Sequence, residues 1–338
     1  MKINFPDYLT TFFTKYISLH RGLSPNSIAS YSDTFILFFR YCMEIHSIRQ
    51  ERMTFSIMSK ALVAEFCEWI EVDRNCSIAT RNLRLTAMHT FFRYLQSEAP
   101  EHAALCRDIL GIPMKKSANK PPVHLQDIEI KMLLAEPNVH TKAGIRDLAM
   151  LALLYDTGAR VSEIINLNVG DVTINARATV RITGKGNKMR LVPVSPETSN
   201  IMKAYLKSNK IERSIVGQPL FVNRSGDKLT RPGVTHILQK YVALAKEKNS
   251  GYFEKVVSPH VVRHSKATHL LLSSVNLVYI RDFLGHSSVI TTELYAKSNP
   301  EFMRKAIEKC SMPFENSKSP FNKKEKQELT EFLKNFRI

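Results

Sequence analysis

The 338-residue sequence predicts a mainly α-helical protein with one small β-sheet, divided into two domains. Three observations carry that prediction. Apolar residues recur at helix spacing through the first 113 residues. A stretch with three lysines and two prolines, KKSANKPP at 115–122, then interrupts the pattern. Beyond it, helical segments enclose one strand–turn–strand pattern at 178–194. The expected divisions are a helical domain over 1–113, a basic linker over 114–123, a mixed α/β domain over 124–312 and a tail helix within 313–338.

Each element has a local reason. Tyr8, Phe12, Phe13, Tyr16 and Ile17 share one helical stripe. A second helix opens at Ser24-Pro25, an N-cap followed by a first-turn proline, and carries Ile28, Tyr31, Phe35, Phe38, Phe39 and Cys42. A third spans Leu62 to Ile70, and a fourth runs from about Ile78 to Leu95. Arg74, Arg81, Arg84 and Arg93 punctuate this last region. They suit either a solvated face or a helix laid along a phosphate backbone, and Arg81 and Arg84 are candidate DNA contacts. In the second domain Ile145–Tyr155 is a helix closed by Thr157-Gly158, and a further helix carries Arg160 to Leu167. Val180 and Ile182, then Leu191, Val192 and Val194, flank the glycine-rich turn GKGN, which makes a β-hairpin. Lys188 and Arg190 on that hairpin are further candidate DNA contacts. Ser195–Leu206 returns to helix, PLFVN (219–223) reads as a short strand, and helices follow to about Cys310. There is no internal repeat and no low-complexity tract.

Bulk properties narrow the function classes. A formal net charge of +17 and a pI near 9.7 favour a polyanionic partner, bound with release of counterions. No apolar run approaches the roughly 18 residues a membrane span needs. The N-terminus has no signal-peptide layout, since Pro6 and Asp7 precede any apolar run. The five cysteines are odd in number and scattered without a CxxC pair, as expected of reduced thiols in a cytoplasmic chain.

Five short pieces carry the chemistry: GARVSEI (158–164), TGKGNK (183–188), HVVRH (260–264), LGHSS (284–288) and ELYAK (293–297). Each is weak alone. In order and spacing together they resemble the tyrosine recombinase, or phage integrase, family of the Xer-like kind. Its pattern is Arg, Lys on a hairpin, His-x-x-Arg, His, then Tyr. Here Arg160 precedes Lys185 by 25 positions, His260 and Arg263 form the His-x-x-Arg, and His286 and Tyr295 are nine apart. RGLSPNSIASY and SIATRNLRLTAMHTFFRYL in the first domain resemble the family's core-binding domain. The resemblance spans the chain to about residue 310.

The resemblance implies a helical, SAM-like core-binding domain and a mixed α/β catalytic domain, forming a C-shaped clamp on duplex DNA. It also implies a homotetramer on two recombination sites, with strands exchanged through a Holliday junction. Neither a metal nor a nucleotide cofactor is implied, and the protein is expected in the cytoplasm, associated with the nucleoid. The chemistry explains the residue types. Tyr295 would store the phosphodiester energy in a 3′-phosphotyrosyl bond while releasing a 5′-hydroxyl. Arg160 and Arg263 would bind the phosphorane in bidentate fashion at any working pH. Lys185 would protonate the departing 5′-oxygen, His260 would take the phenolic proton and His286 would hydrogen-bond a phosphate oxygen. His260 and Arg263 sit one turn apart on a shared face. Glu163, three residues after Arg160, would orient that arginine or His260.

Three other readings stay in view. HVVRH spaces two histidines as zinc ligands are spaced, but it lacks the glutamate of HExxH and a nearby third ligand. A non-catalytic DNA-binding relative would be expected to have lost at least one of the six positions, and none is lost. A type IB topoisomerase shares the chemistry, while the compact helical first domain fits a recombinase better. After Tyr295, a helix is expected from Asn299-Pro300 through Phe302, Met303, Ala306, Ile307 and Cys310. A linker (311–320) leads to a last amphipathic helix with Leu329, Phe332, Leu333 and Phe336 on one stripe. Either helix could fold back on its own domain or dock on a neighbouring protomer.

Overall fold

The computed structural model describes residues 4–116, 122–175, 178–211, 217–286, 288 and 323–335. The chain divides into two compact units, Met1–Asn119 and Lys120–Ile338. Most described residues are helical, and the sheet has three strands.

The first unit is built from α1 (Phe5–Thr11), a π-helical segment (Phe12–His20), α2 (Pro25–His46), α3 (Lys60–Glu71), α4 (Ile78–Glu98) and α5 (Ala103–Leu110). Serine N-caps open three of them. Ser24, Ser59 and Ser77 accept the backbone N–H of Ser27, Leu62 and Thr80, which satisfies one orphan donor of each first turn. The π segment departs from the expected uniform α-helix. Its buried residues, Phe12 and Ile17, lie five apart, the spacing that i→i+5 hydrogen bonding places on one side. The core is aromatic. Phe91 packs edge-on against Phe5, Phe12, Phe35 and Phe92 at centroid distances of 5.2–5.6 Å. Phe66 does the same with Phe38 at 5.2 Å. Such pairs add to the transfer free energy of the buried rings.

Two arginines of α4 also take part in this packing. Arg81 is 6% exposed, and its Nη1 donates to the Pro113 carbonyl at 2.9 Å, fastening the end of the unit. Arg84 Nη1 donates to Ser30 O and Thr34 Oγ1 at 3.0 and 3.1 Å, which ties α4 to α2. Both side chains make these hydrogen bonds within the unit. Arg74 stacks on Trp69 at 5.4 Å, and Arg93 is exposed.

In the second unit α6 (Asp127–Ala135), α7 (Lys142–Thr157), α8 (Val161–Ile165), α9 (Pro196–Ser208), α10 (Arg231–Lys248), α11 (Pro259–Leu272) and α12 (Leu277–Leu284) surround strands β1 (Val172–Thr173), β2 (Thr179–Thr183) and β3 (Met189–Pro193). The strands run antiparallel in the order β1-β2-β3, with Val180 opposite Val192 and Ile182 opposite Arg190. α7 is buried almost all round and forms the centre of an aliphatic core with Val180, Ile182, Val192, Leu220 and Leu238. Gly158 ends α7 in the left-handed conformation (φ 56°), as a C-terminal glycine should. PLFVN is not a strand. Pro219 lacks an N–H to donate, and the segment makes two isolated bridges, Asn168–Pro219 and Val222–Lys228. A helix α13 (Lys323–Asn335) closes the described chain, with Leu329 and Leu333 46% and 59% exposed. The expected helix from Asn299-Pro300 lies outside the described residues.

Candidate active site

The site forms where the C-termini of α7 and α12, the start of α8 and one face of α11 meet. Arg263, on the buried face of α11, is 3% exposed. Its Nη1 donates to Gly158 O at 2.6 Å and its Nη2 to Leu284 O at 2.8 Å. Those carbonyls lie two residues before Arg160 and two before His286. One guanidinium thus satisfies orphan carbonyls at two helix ends and brings the neighbourhoods of Arg160 and His286 together.

Arg160 sits just before α8 with its side chain one-third exposed. Glu163, whose side chain is 4% exposed, turns back onto it. It accepts from Arg160 N at 2.8 Å and from Arg160 Nη1 at 2.9 Å. Burial alone would raise the Glu163 carboxyl's pKa. Hydrogen bonds from Arg190 and Arg160, with their charges, outweigh that and hold it below its ordinary value. Of the two partners the sequence allowed for Glu163, the structure pairs it with Arg160, and it also accepts from Arg190.

His260 lies one turn before Arg263 on α11. Burial first, then the charges of Arg263 and Arg160, push its pKa below the usual histidine value. His286 is pushed down to about 4, again by burial first and then by Arg263 and Arg160. Both rings are therefore neutral near pH 7, able to accept a proton or a hydrogen bond. Arg160 and His286 line a cleft of about 500 Å³ with Gly184, Lys188, Met189, Arg190, Arg281, Asp282 and Gly285. Lys185 opens the turn between β2 and β3 at the rim. Its side chain and Tyr295 lie outside the described residues. So do the supposed contacts of either with the cleft.

Arg190, on the same hairpin, turns toward the protein. Its side chain is 13% exposed and points inward to Glu163 and the Phe283 carbonyl, whereas Lys188 is exposed at the hairpin. The sequence also gave no warning of Asp156. This buried carboxylate on α7 accepts from Ser195 N at 2.6 Å and Lys266 Nζ at 3.0 Å, fixing the end of β3 to α11. The signal available was an acidic residue interrupting the apolar run LALLYDT. His264 lies 6.5 Å from His260, ring centroid to centroid, and among the described residues no group of three or more His, Cys, Asp or Glu could hold a metal ion.

Comparison with known proteins identifies the family. Residues 124–301 match the phage integrase family and residues 11–99 its N-terminal SAM-like domain. The y4rC protein of Sinorhizobium fredii, named as an integrase/recombinase, is 34% identical over 93% of this chain and 93% of its own length. The tyrosine recombinase XerD of Lacticaseibacillus casei is 31% identical over 84% of this chain and 91% of its own. Among solved structures, XerH bound to a palindromic difH substrate superposes with a TM-score of 0.66 at 22% identity, covering 85% of this chain and 81% of that one. The Tn1549 transposon integrase with transposon right-end DNA reaches 0.69 at 17% identity, covering 88% and 98%. With both family domains matched in order and relatives above 30% identity along most of its length, the chain belongs to the phage integrase family, the tyrosine recombinases that cleave and rejoin DNA.

Proposed function

We propose that this recombinase binds a specific duplex recombination site and exchanges strands there through Tyr295, as a homotetramer on two sites and by way of a Holliday junction. The observation that carries the site assignment is that Arg160 and His286 line one cleft while Arg263 joins the two helix ends beside them and, with Arg160, lowers the pKa of both His260 and His286. In this reading Arg160 and Arg263 stabilise the charge that grows on the non-bridging oxygens. Neutral His260 takes the phenolic proton of Tyr295, and His286 hydrogen-bonds the phosphate. Lys185, on the turn at the cleft's rim, protonates the leaving 5′-oxygen. No step calls for a metal or a nucleotide.

The net charge of +17 and exposed Lys188 support DNA as the partner. Relatives crystallised with difH and transposon-end DNA support the same class of partner. Exposed Leu329 and Leu333 on α13 support a protomer contact through the tail. Among the described residues no helix is long and apolar enough to cross a membrane, and we place the protein in the cytoplasm with the nucleoid.

The test is a suicide substrate nicked beside the cleavage point, which traps the covalent adduct on a denaturing gel. The wild-type protein should form it, and Tyr295→Phe should bind the same DNA and form none. A persistent adduct in the phenylalanine variant would remove Tyr295 as the nucleophile.

A further inference from the structure

The cleft contains a second arginine whose three nitrogens all face protein groups. Arg190 Nε donates to Phe283 O at 3.0 Å, while Nη2 and Nη1 meet the two oxygens of Glu163 at 2.8 and 3.3 Å. This is the forked guanidinium–carboxylate pairing, and an ammonium could not reproduce it. Glu163 therefore stands between two arginines, with Arg190 taking one side of the carboxylate in full and Arg160 holding it through Nη1 and its own backbone N–H. The Arg160 side chain remains one-third exposed at the cleft, against 13% for Arg190.

Neighbouring backbone has made room for this pairing. A Cβ on Gly285, whose φ is +66°, would lie 2.7 Å from Arg190 Nη1. A Cβ on Gly184 would come within 3.2 Å of Glu163 Oε1. The guanidinium thus occupies a slot between the β2–β3 turn and the loop that leads to His286.

We infer that Arg190 is a positioning residue: it occupies the buried Glu163 carboxylate so that Arg160 stays turned toward the cleft. The inference rests on Arg160 acting at the scissile phosphate, as proposed above. Without Arg190, Glu163 would be a buried carboxylate short of partners. Arg160 is the nearest donor, and it would swing into side-on pairing with Glu163 and leave the cleft. The defect would then come from Glu163's charge, so neutralising Glu163 should relieve it. A residue that merely holds the fold together, or touches a DNA phosphate, gives no such relief.

The experiment measures single-turnover adduct formation on the nicked substrate at saturating DNA, with Kd for the same duplex measured separately. Arg190→Ala should slow cleavage by about 10²-fold, the scale of losing one aligned transition-state donor. Kd should change by no more than roughly threefold, as for one screened charge. Adding Glu163→Gln to Arg190→Ala should recover about tenfold of the lost rate, an interaction within the range of coupled neighbours. Arg190→Lys, which keeps the charge and the aliphatic stem, should also be slow and also be relieved by Glu163→Gln. It carries the test if the alanine protein fails to fold. A double variant slower than Arg190→Ala, or a cleavage loss matched by an equal loss of DNA affinity, would overturn the inference. Wild type and Tyr295→Phe run alongside. If wild type forms no adduct, the assignment of the reaction fails. If those controls behave and only the Arg190 pattern is missing, the inference alone fails.

Discussion

The two units solve the same packing problem with different materials. The first fills its interior with rings. Phe5, Phe12, Phe35, Phe38, Phe66, Phe91 and Phe92 are all at most 2% exposed. The second fills its interior with Leu, Ile, Val and Ala and then places charge inside it. Asp147, Asp156, Glu163 and Arg263 are each at most 8% exposed. The rings themselves need no polar partners, and the buried Arg81 and His89 find theirs at the Pro113 and Ile109 carbonyls. Buried charges demand partners at fixed distances, and a site that must aim guanidiniums at one point can use that demand. The contrast extends to titration. Four histidines of the second unit, His260, His264, His269 and His286, are held below the usual pKa with burial as the first cause, against His89 alone among the described residues of the first.

The contrast can be broken at several points. The largest effect is expected at Arg263. Arg263→Ala should reduce cleavage by at least about 10²–10³-fold. It should also destabilise the second unit, because Gly158 O and Leu284 O each lose a charged donor at about 1–3 kcal/mol per buried group. Adduct formation and calorimetry read the two consequences separately. A variant that stays as stable as wild type would show that the helix ends do not depend on this guanidinium.

Next comes the aromatic frame. Phe91→Ala should cost about 3–5 kcal/mol, the range for emptying a core ring site. The single tryptophan, Trp69, lies in the first unit, so its fluorescence during urea unfolding reports that unit. Its midpoint should fall while a probe of the second unit stays unchanged. A joint fall in both would mean that the units unfold as one.

A smaller effect sharpens the titration difference. A histidine whose native pKa is lowered binds its proton later than in the unfolded chain. Between about 6.5 and the native value the unfolded state therefore holds more protons, and stability drops as pH falls. For His286 that window runs from about 6.5 down to about 4. The second unit should lose stability faster than the first on acidification over this range, and His286→Asn should make its pH profile shallower. Parallel acid profiles for the two units would dissolve the difference.

Much of this was readable from the residues. The N-cap serines, Gly158 and the β2–β3 hairpin follow from local chemistry, and the order of Arg160, His260, Arg263 and His286 is what the family resemblance rests on. The direction of a long side chain was not readable. Arg81, Arg84 and Arg190 sit in basic, polar stretches that suit solvent or phosphate. Among their acceptors are Pro113 O, Ser30 O and the Phe283 carbonyl, each at least 32 residues away in sequence. No periodicity encodes such a partner. The π segment escaped for a related reason, because Phe12, Tyr16 and Ile17 satisfy α and π spacing over so short a run. PLFVN has strand composition, and only the missing N–H of Pro219 argued against it.

Arg263 has one more consequence, for the entropy of the reaction. Its guanidinium is anchored to two helix ends before any DNA arrives, and moving it would uncap both. In the proposed mechanism the phosphate would meet a charge that is already oriented, so little reorganisation of this residue would remain for the chemical step. Warming the protein should therefore leave the alignment of Arg263 intact until the ends of α7 and α12 themselves begin to fray.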